Sequence, residues 1–309
     1  MYITDGIVEQ HIHGAFGYDF MNCSVDDICC VSEMLLENGV TAFFPTVMTD
    51  SLEKIKERIE VIKEAKNKQK VKSAQIVGVH LEGPFINPEK AGIHEKKYIL
   101  PLKIDLFKEL EDEIIKIVTL APELDKEMSF IKYLKSKNIK ISAGHSVATA
   151  FSNINQVTHL YNAMGSFCHR GDSTVVSALI NDDIYTEIIA DSMHVSDDVL
   201  KITFKQKPLN KVLLISDALP LAHSQKKEQI FAGQKIYNKN GKLINSEGVF
   251  AGSSMLLCDI IKNLTDKNIL KIEDAILTAS SNQLNYHKLK SNIKIYWNNF
   301  HKIEKVEFI

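Results

Sequence analysis

The sequence predicts an α/β fold, a single (β/α)8 barrel of the TIM type. Short apolar runs alternate with amphipathic segments of about ten to fifteen residues, which is typical of β/α units around a parallel sheet. The chain has 309 residues, and one such barrel takes about 250 residues. Several of the apolar runs also end in histidine, glutamate or aspartate, at the strand ends where a barrel builds its active site.

Eight apolar segments are predicted to form the barrel strands, and eight is the number that closes such a barrel. They span residues 7–10, 42–45, 76–81, 114–120, 140–143, 157–160, 186–190 and 212–216. Helices are predicted between or after them at residues 24–37, 51–67, 126–137, 195–204 and 274–283. The first helix has Ser24 as its N-cap and stops at Asn38 and Gly39, residue types that favour helix termination.

The alternation of strand and helix changes after the eighth strand. Residues 233–250 contain two short strand-like runs around a polar turn, which predicts a β-hairpin that leaves the barrel. Residues 293–297 and 306–309 predict two further short strands. We therefore expect a barrel domain at residues 1–285, including the 233–250 excursion, and a segment of short strands at residues 286–309.

The composition is that of an ordinary globular chain and argues against two classes of partner. Apolar residues make up 45% and charged residues 25%, with a formal net charge of −2. This balance offers no basic surface for nucleic acid or for an anionic membrane. No run approaches the roughly 20 apolar residues of a membrane span, and the first residues do not resemble a signal peptide. The five scattered cysteines fit a reducing compartment, so we expect a cytoplasmic location.

Metal-binding and acid/base residues follow five of the predicted strands, and they are His11 and His13, Glu82, His145, His159 and Asp217. Because parallel strands end at the same edge of a barrel, we expect these side chains to converge. Glu82, His145 and His159 supply the three protein ligands that catalytic zinc typically takes, which leaves a position open for water. Asp217 is then placed to carry a proton to and from that water. The His11–His13 pair alone is weak evidence, and a structural role for it is equally open.

Seven motifs carry a resemblance to a known family. They are HLEGPFINP at residues 80–88, TLAPE at 119–123, GHS at 144–146, THLYNAM at 158–164, IADSMHV at 189–195, SDA at 216–218 and FAGSS at 250–254. In this order they closely resemble the motifs of the N-acetylglucosamine-6-phosphate deacetylases of the amidohydrolase superfamily. The resemblance spans residues 6–285, and it implies hydrolysis of the substrate's acetamide to glucosamine 6-phosphate and acetate.

The resemblance implies a role for each matching residue. Glu82, His145 and His159 match the metal ligands, and Asp217 and His94 match the catalytic residues. The matches to substrate-binding positions are Ile93, His94, Asn162, Ala163, Arg170, His194, Phe250, Ala251 and Gly252. A divalent metal, zinc or iron, is implied, with one ion or, because His11 and His13 are present, two. The family also implies that the protein is a homodimer. Its expected binding partner is the substrate, a small amino-sugar phosphate.

The sequence departs from the family pattern in two places, and two alternative functions remain open. After Arg170 the chain reads Gly171, Asp172 and Ser173, where the family has a Glu-Pro-Gly-like turn. Met1 lies just before the first predicted strand, so we expect the family's accessory β-sandwich to be absent or reduced to a remnant in residues 286–309. The same barrel could deacetylate another amino-sugar phosphate, such as N-acetylgalactosamine 6-phosphate, or be a non-catalytic sugar-phosphate-binding remnant.

Overall fold

The computed structural model describes residues 2–309, and its central feature is a barrel of parallel strands. The strands are β1 (Ile7–Ile12), β2 (Val40–Met48), β3 (Val79–Glu82), β4 (Ile115–Leu120), β5 (Lys140–Ala143), β6 (Gln156–Val157), β7 (Tyr185–Ile189) and β8 (Val212–Ile215). They pair in chain order, and the short strand Gln75–Ile76 also pairs with β2. Each predicted strand overlaps one of them, so the predicted barrel is confirmed.

The barrel closes between β1 and β8 at the ends that carry the candidate site. The backbone N–H of Asp217 donates to the carbonyl of His11 at 3.0 Å, and that of His13 donates to Ala218 at 2.9 Å. Below these bonds the buried Glu9 carboxyl accepts the N–H groups of His11 at 3.1 Å and of Ser216 at 3.0 Å. The last residues of β1 and the residues after β8 are therefore fixed next to each other.

Helices cover the outside of the barrel and bury one face each against it. They are Val25–Glu37, Leu52–Lys68, Ile104–Lys108, Ser129–Ser136, Thr174–Ile180, Asp197–Gln206, Leu257–Asp266, Ile272–Ala279 and Ser281–His287. Short 3-10 turns lie at Pro88–Lys90, Lys96–Tyr98, Pro122–Leu124 and Leu209–Lys211. Ser24 caps the first helix as predicted, in a reciprocal capping box with Asp27. The single helix predicted at 274–283 is wrong, because the backbone breaks at Ser280 and two shorter helices result.

A small antiparallel sheet joins the two ends of the chain. Its central strand, Ile293–Trp297, pairs with Tyr2–Asp5 on one side and with Ile303–Phe308 on the other. Trp297 is fully buried, and its indole N–H donates to Thr4 Oγ1 at 2.9 Å. The strand Tyr2–Asp5 was not predicted from the sequence. The interpretation of this sheet as the remnant of an accessory β-sandwich stays a prediction.

A second antiparallel sheet stands over the carboxyl ends of the barrel strands. It has four strands, Glu228–Phe231, Gln234–Lys239, Lys242–Ile244 and Phe250–Ser253, where the sequence predicted a simple hairpin. The ring of Phe231 packs 5.5 Å from that of His13, and Gln234 Nε2 donates to the carbonyl of Ile93 at 3.1 Å. The excursion is therefore part of the wall of the candidate site. Among residues 2–309, no helix is both long and apolar enough to cross a membrane.

Candidate metal centre and active site

Glu82, the last residue of β3, lies at the centre of a ring of histidines. Its Oε1 atom is 3.3 Å from His145 Nε2, 3.1 Å from His159 Nε2 and 3.3 Å from His11 Nε2. Its Oε2 atom is 3.4 Å from both His13 Nε2 and His94 Nε2. The residues predicted from five strand ends thus converge on one carboxylate.

Asp217 lies beside this ring, directly after β8. Its Oδ1 atom is 3.0 Å from His13 Nε2 and 3.5 Å from His11 Nε2. Glu82 with His145 and His159 forms one group whose ligand atoms could hold a metal ion, and His11, His13 and Asp217 form another. The carboxylate of Glu82 belongs to the first group and also lies 3.3 Å from His11 Nε2 and 3.4 Å from His13 Nε2 of the second.

The backbone at three of these residues is left-handed, a conformation that non-glycine residues adopt uncommonly. The φ angle is +48° at His145, +28° at His159 and +51° at Asp217. Such conformations persist where surrounding contacts impose them, and they cluster at functional sites. The N–H of Asn87 holds the carbonyl of His145 at 2.9 Å, for example. The strand-to-loop turns therefore point these side chains back over the barrel mouth.

The protonation pattern of the histidines suits a cation between them. His145 Nδ1 lies 2.7 Å from the carbonyl of Lys90, which can only accept, so in the neutral ring Nε2 carries a lone pair. That lone pair faces His159 Nε2 at 3.2 Å and Glu82 Oε1 at 3.3 Å. Among the described residues, His11 Nε2, which faces Glu82 as well, makes no hydrogen bond. Imidazole and carboxylate donors in this number fit zinc or iron.

The two site carboxylates are held in the charged form by their neighbours. Burial alone would raise the pKa of Glu82, but the adjacent His11, His145 and His159 outweigh it and hold that pKa well below the usual range. Burial would likewise raise the pKa of Asp217, but His11 and His13 hold it below the usual range. Burial and the nearby His145 lower the pKa of His94 to about 4, so its ring is neutral at physiological pH.

A cavity of about 240 Å³ opens directly above the metal-binding residues. Eight predicted substrate-binding residues line it, namely Ile93, His94, Asn162, Ala163, His194, Phe250, Ala251 and Gly252. Met48, Gly92 and Val249 also line the cavity and were not identified from the sequence. Arg170 is not among the lining residues and lies on an exposed loop, so its role as a phosphate contact stays a prediction.

Several buried polar residues that orient the site were missed by the sequence reasoning. Thr49 Oγ1 lies 2.8 Å from His94 Nδ1, and Asp191 Oδ2 lies 2.8 Å from His194 Nδ1. Glu187, inside β7, lies 3.2 Å from His11 Nδ1. A charged residue inside an otherwise apolar strand was a signal for Glu187, because an unpaired buried charge is costly. His80, two residues before Glu82 on β3, bonds to Gln10 O and Thr119 Oγ1 inside the barrel.

The fold and these residues define a metal-dependent barrel hydrolase, and comparison with known proteins gives its family. The chain belongs to the amidohydrolase family, whose model matches residues 2–293. Its relatives within that family are N-acetylglucosamine-6-phosphate deacetylases, so the resemblance predicted from the seven motifs is confirmed.

The curated relatives and solved structures agree with each other. The chain is 35% identical to the deacetylase of Bacillus subtilis over 263 residues, which are 81% of this chain and 66% of that protein. It is 31% identical to that of Haemophilus influenzae over 289 residues, 89% of this chain and 74% of that protein. The deacetylase structure from Pasteurella multocida matches with a TM-score of 0.91 at 25% identity, covering 99% of this chain and 85% of that one. The Thermotoga maritima structure matches with a TM-score of 0.90 at 27% identity, covering 99% and 87%.

Proposed function

We propose that this protein hydrolyses the acetamide of N-acetylglucosamine 6-phosphate, giving glucosamine 6-phosphate and acetate. The observation that supports this most strongly is the convergence of Glu82, His145 and His159 at the floor of the cavity, with Asp217 beside them. Relatives named for this reaction are 35% and 31% identical to this chain over 81% and 89% of its length.

Glu82, His145 and His159 would hold the metal ion. When bound, the ion supplies a Lewis acid that polarises the amide carbonyl and makes water a better nucleophile. Asp217 accepts the proton of the attacking water, because its neighbours keep the carboxylate ionised, and later gives that proton to the departing amine. His13 holds Asp217 in place from 3.0 Å away. His94 lines the same cavity as a neutral ring, and we expect it to lie beside the acetamido group of the bound substrate.

We further propose that a second ion binds at His11, His13 and Asp217, with Glu82 between the two positions. The ligand atoms of these three residues all lie within 4.8 Å of one another, as those of the first group do. The donor set suits zinc or iron, and the choice between them depends on metal supply as well as on ligand chemistry.

The substrate's sugar and phosphate would extend from the metal centre along Asn162, Ala163, His194 and the segment Phe250 to Gly252, all of which line the cavity. Arg170 remains the predicted phosphate contact, since a guanidinium binds a phosphate with two parallel hydrogen bonds. The homodimer and the cytoplasmic location also stay predictions from the sequence.

The decisive experiment is an acetate-release assay on the purified protein with its metal content measured in the same sample. We expect acetate from N-acetylglucosamine 6-phosphate, with one or two ions of zinc or iron per chain. Faster turnover of the galactosamine epimer would favour the alternative substrate. No acetate release from either sugar phosphate by fully metal-loaded protein would overturn the proposal and favour a non-catalytic sugar-phosphate-binding protein.

A further inference from the structure

We propose that Glu187 is a positioning residue that decides which nitrogen of His11 faces the metal centre. This inference rests on the proposed function, because it concerns the second ion at His11, His13 and Asp217. Glu187 itself lies one layer deeper in the barrel, on β7, and is fully buried. It does not line the cavity, so it has no contact with the substrate.

The carboxylate of Glu187 contacts His11 from the side opposite to the metal centre. Its Oε2 atom lies 3.2 Å from His11 Nδ1. The other nitrogen, His11 Nε2, lies 3.3 Å from Glu82 Oε1 and 3.5 Å from Asp217 Oδ1. Because a carboxylate only accepts, Nδ1 carries the proton and Nε2 keeps the lone pair that a metal ion needs. A carboxylate behind a metal-binding histidine fixes the ring in this way in many metal sites.

Two side-chain amide groups donate hydrogen bonds to the other oxygen of Glu187 and fix the plane of its carboxylate. Gln10 Nε2 donates to Glu187 Oε1 at 2.5 Å, and Gln156 Nε2 donates to the same oxygen at 2.7 Å. The orientation of the Gln10 amide is itself fixed, because its Oε1 atom lies 2.6 Å from His287 Nε2. Oε1 of Glu187 therefore receives two side-chain N–H groups, whereas Oε2 faces His11 Nδ1 and also accepts the backbone N–H of His159 at 3.3 Å.

His80, the other histidine beside His11, does not compete for this role. The two rings lie 4.5 Å apart. His80 Nδ1 lies 2.8 Å from the carbonyl of Gln10, and its Nε2 lies 2.8 Å from Thr119 Oγ1, so both nitrogens already have partners. Among these neighbours, Glu187 is the group that sets the proton position on His11.

This arrangement predicts an unusual effect for the nearly isosteric change Glu187→Gln. Gln10 favours the amide oxygen of the new side chain on its side, because its own oxygen is already bonded to His287, whereas Gln156 can turn its amide since its Oε1 atom makes no hydrogen bond. The NH2 group of the new side chain then faces His11, where it would turn Nδ1 into an acceptor and move the ring proton to Nε2. A protonated Nε2 cannot bind a metal ion. A purely structural role for Glu187 would lower stability without removing the second ion selectively.

The test measures metal binding in Glu187→Gln, in wild type and in the control Gln156→Met, which removes a donor to Glu187 but leaves the His11 contact. We expect two ions per chain in wild type and in the control. In Glu187→Gln affinity for the second ion should fall about 10- to 100-fold, and by more than affinity for the first ion, whose ligand His159 meets Glu187 only through its backbone N–H at 3.3 Å. Cobalt-loaded samples should lose the absorption band of the second site only. Equal second-ion affinity in wild type and Glu187→Gln would overturn the inference.

A second measurement covers the case in which Glu187→Gln does not fold. In zinc-loaded, 15N-histidine-labelled wild-type protein, His11 should show a zinc-bound Nε2 and a protonated Nδ1, with assignment from the His11→Gln spectrum. A protonated Nε2, or only one ion per chain in wild type, would overturn the inference. Acetate release by wild type reports separately on the proposed reaction, so the two failures can be told apart.

Discussion

Asp191 accepts a hydrogen bond of 2.8 Å from His194 Nδ1 through its Oδ2 atom. Its Oδ1 atom accepts the backbone N–H of His194 at 2.8 Å, and Ser253 Oγ donates to Oδ2 at 3.0 Å. His194 lines the cavity with its ring 5.0 Å from that of Phe250. Asp191 therefore fixes the ring with its proton on Nδ1, which leaves Nε2 of the neutral ring as an acceptor for a hydroxyl group.

Replacing Asp191 with asparagine should weaken substrate binding without removing metal. The loss of a hydrogen bond to a charged group costs about 1.5–3 kcal/mol, which corresponds to a fall in kcat/KM of about 10- to 100-fold, mostly through KM. Steady-state kinetics of acetate release and metal analysis test this. Asp198→Asn, on an exposed helix face, is the matched control. An unchanged KM in Asp191→Asn would contradict the positioning role.

Asp217→Asn should abolish most acetate release. Asparagine keeps the shape of the side chain but cannot accept a proton, and positioned acid/base groups contribute about 10²- to 10⁴-fold to rate. The ion held by Glu82, His145 and His159 should remain, because Asp217 is not in that group. Turnover near the wild-type value, with the metal retained, would refute the acid/base role of Asp217.

The hydrogen bonds made by Glu123 explain why the motif at residues 119–123 ends in glutamate. Its Oε2 atom accepts from Ser146 Oγ at 2.6 Å, and its Oε1 atom accepts from Val147 N at 2.8 Å and Asn87 Nδ2 at 2.9 Å. These bonds clamp the loop that carries His145.

Glu123→Gln should loosen this loop and weaken binding of the first ion by about tenfold, as the loss of groups that orient a metal ligand generally does. Competition with a chelator measures the affinity. The exposed Glu127→Gln serves as the control, since its side chain lies on the surface nearby. Equal ion affinity in Glu123→Gln and wild type would rule out the clamp as a determinant of the site.

The sequence predicts those site residues that lie at the ends of barrel strands. Glu82, His145, His159 and Asp217 were found because parallel strands end at a common edge, so residues distant in sequence meet there. Glu187 and Asp191 were missed because their roles depend on which neighbour each faces inside the barrel. That information comes from the packing of several strands and not from a local pattern.

The fold was predictable where a strand or helix has its own local sequence pattern. It was less predictable where a strand pairs with another that is distant in the sequence. The barrel strands are continuous apolar runs because both faces are buried, so they stand out in the sequence. Tyr2–Asp5 is short and partly exposed, and its partner strand Ile293–Trp297 lies at the other end of the chain. Nothing in its own residues specifies that pairing.

Lys207 gives a test of stability that is independent of the metal centre. It is buried beyond the helix Asp197–Gln206, and its ammonium donates to the carbonyls of Ala178 at 2.9 Å and Asn181 at 2.6 Å. Lys207→Met leaves both carbonyls without this donor, so we expect a loss of about 1–3 kcal/mol in the free energy of unfolding at pH 7. Urea denaturation of both proteins measures it.

The pH dependence of that loss follows from the lowered pKa of Lys207. Burial lowers this pKa to about 8, below the ordinary value of 10.5 that applies in the unfolded chain. Between these values the unfolded state binds more protons than the folded state, so the contribution of Lys207 to stability rises with pH. The stability difference between wild type and Lys207→Met should therefore be larger at pH 10 than at pH 7. Lys205→Met, at an exposed position two residues earlier, is the control for the substitution itself, and a Lys207→Met difference that shrinks with pH would contradict the prediction.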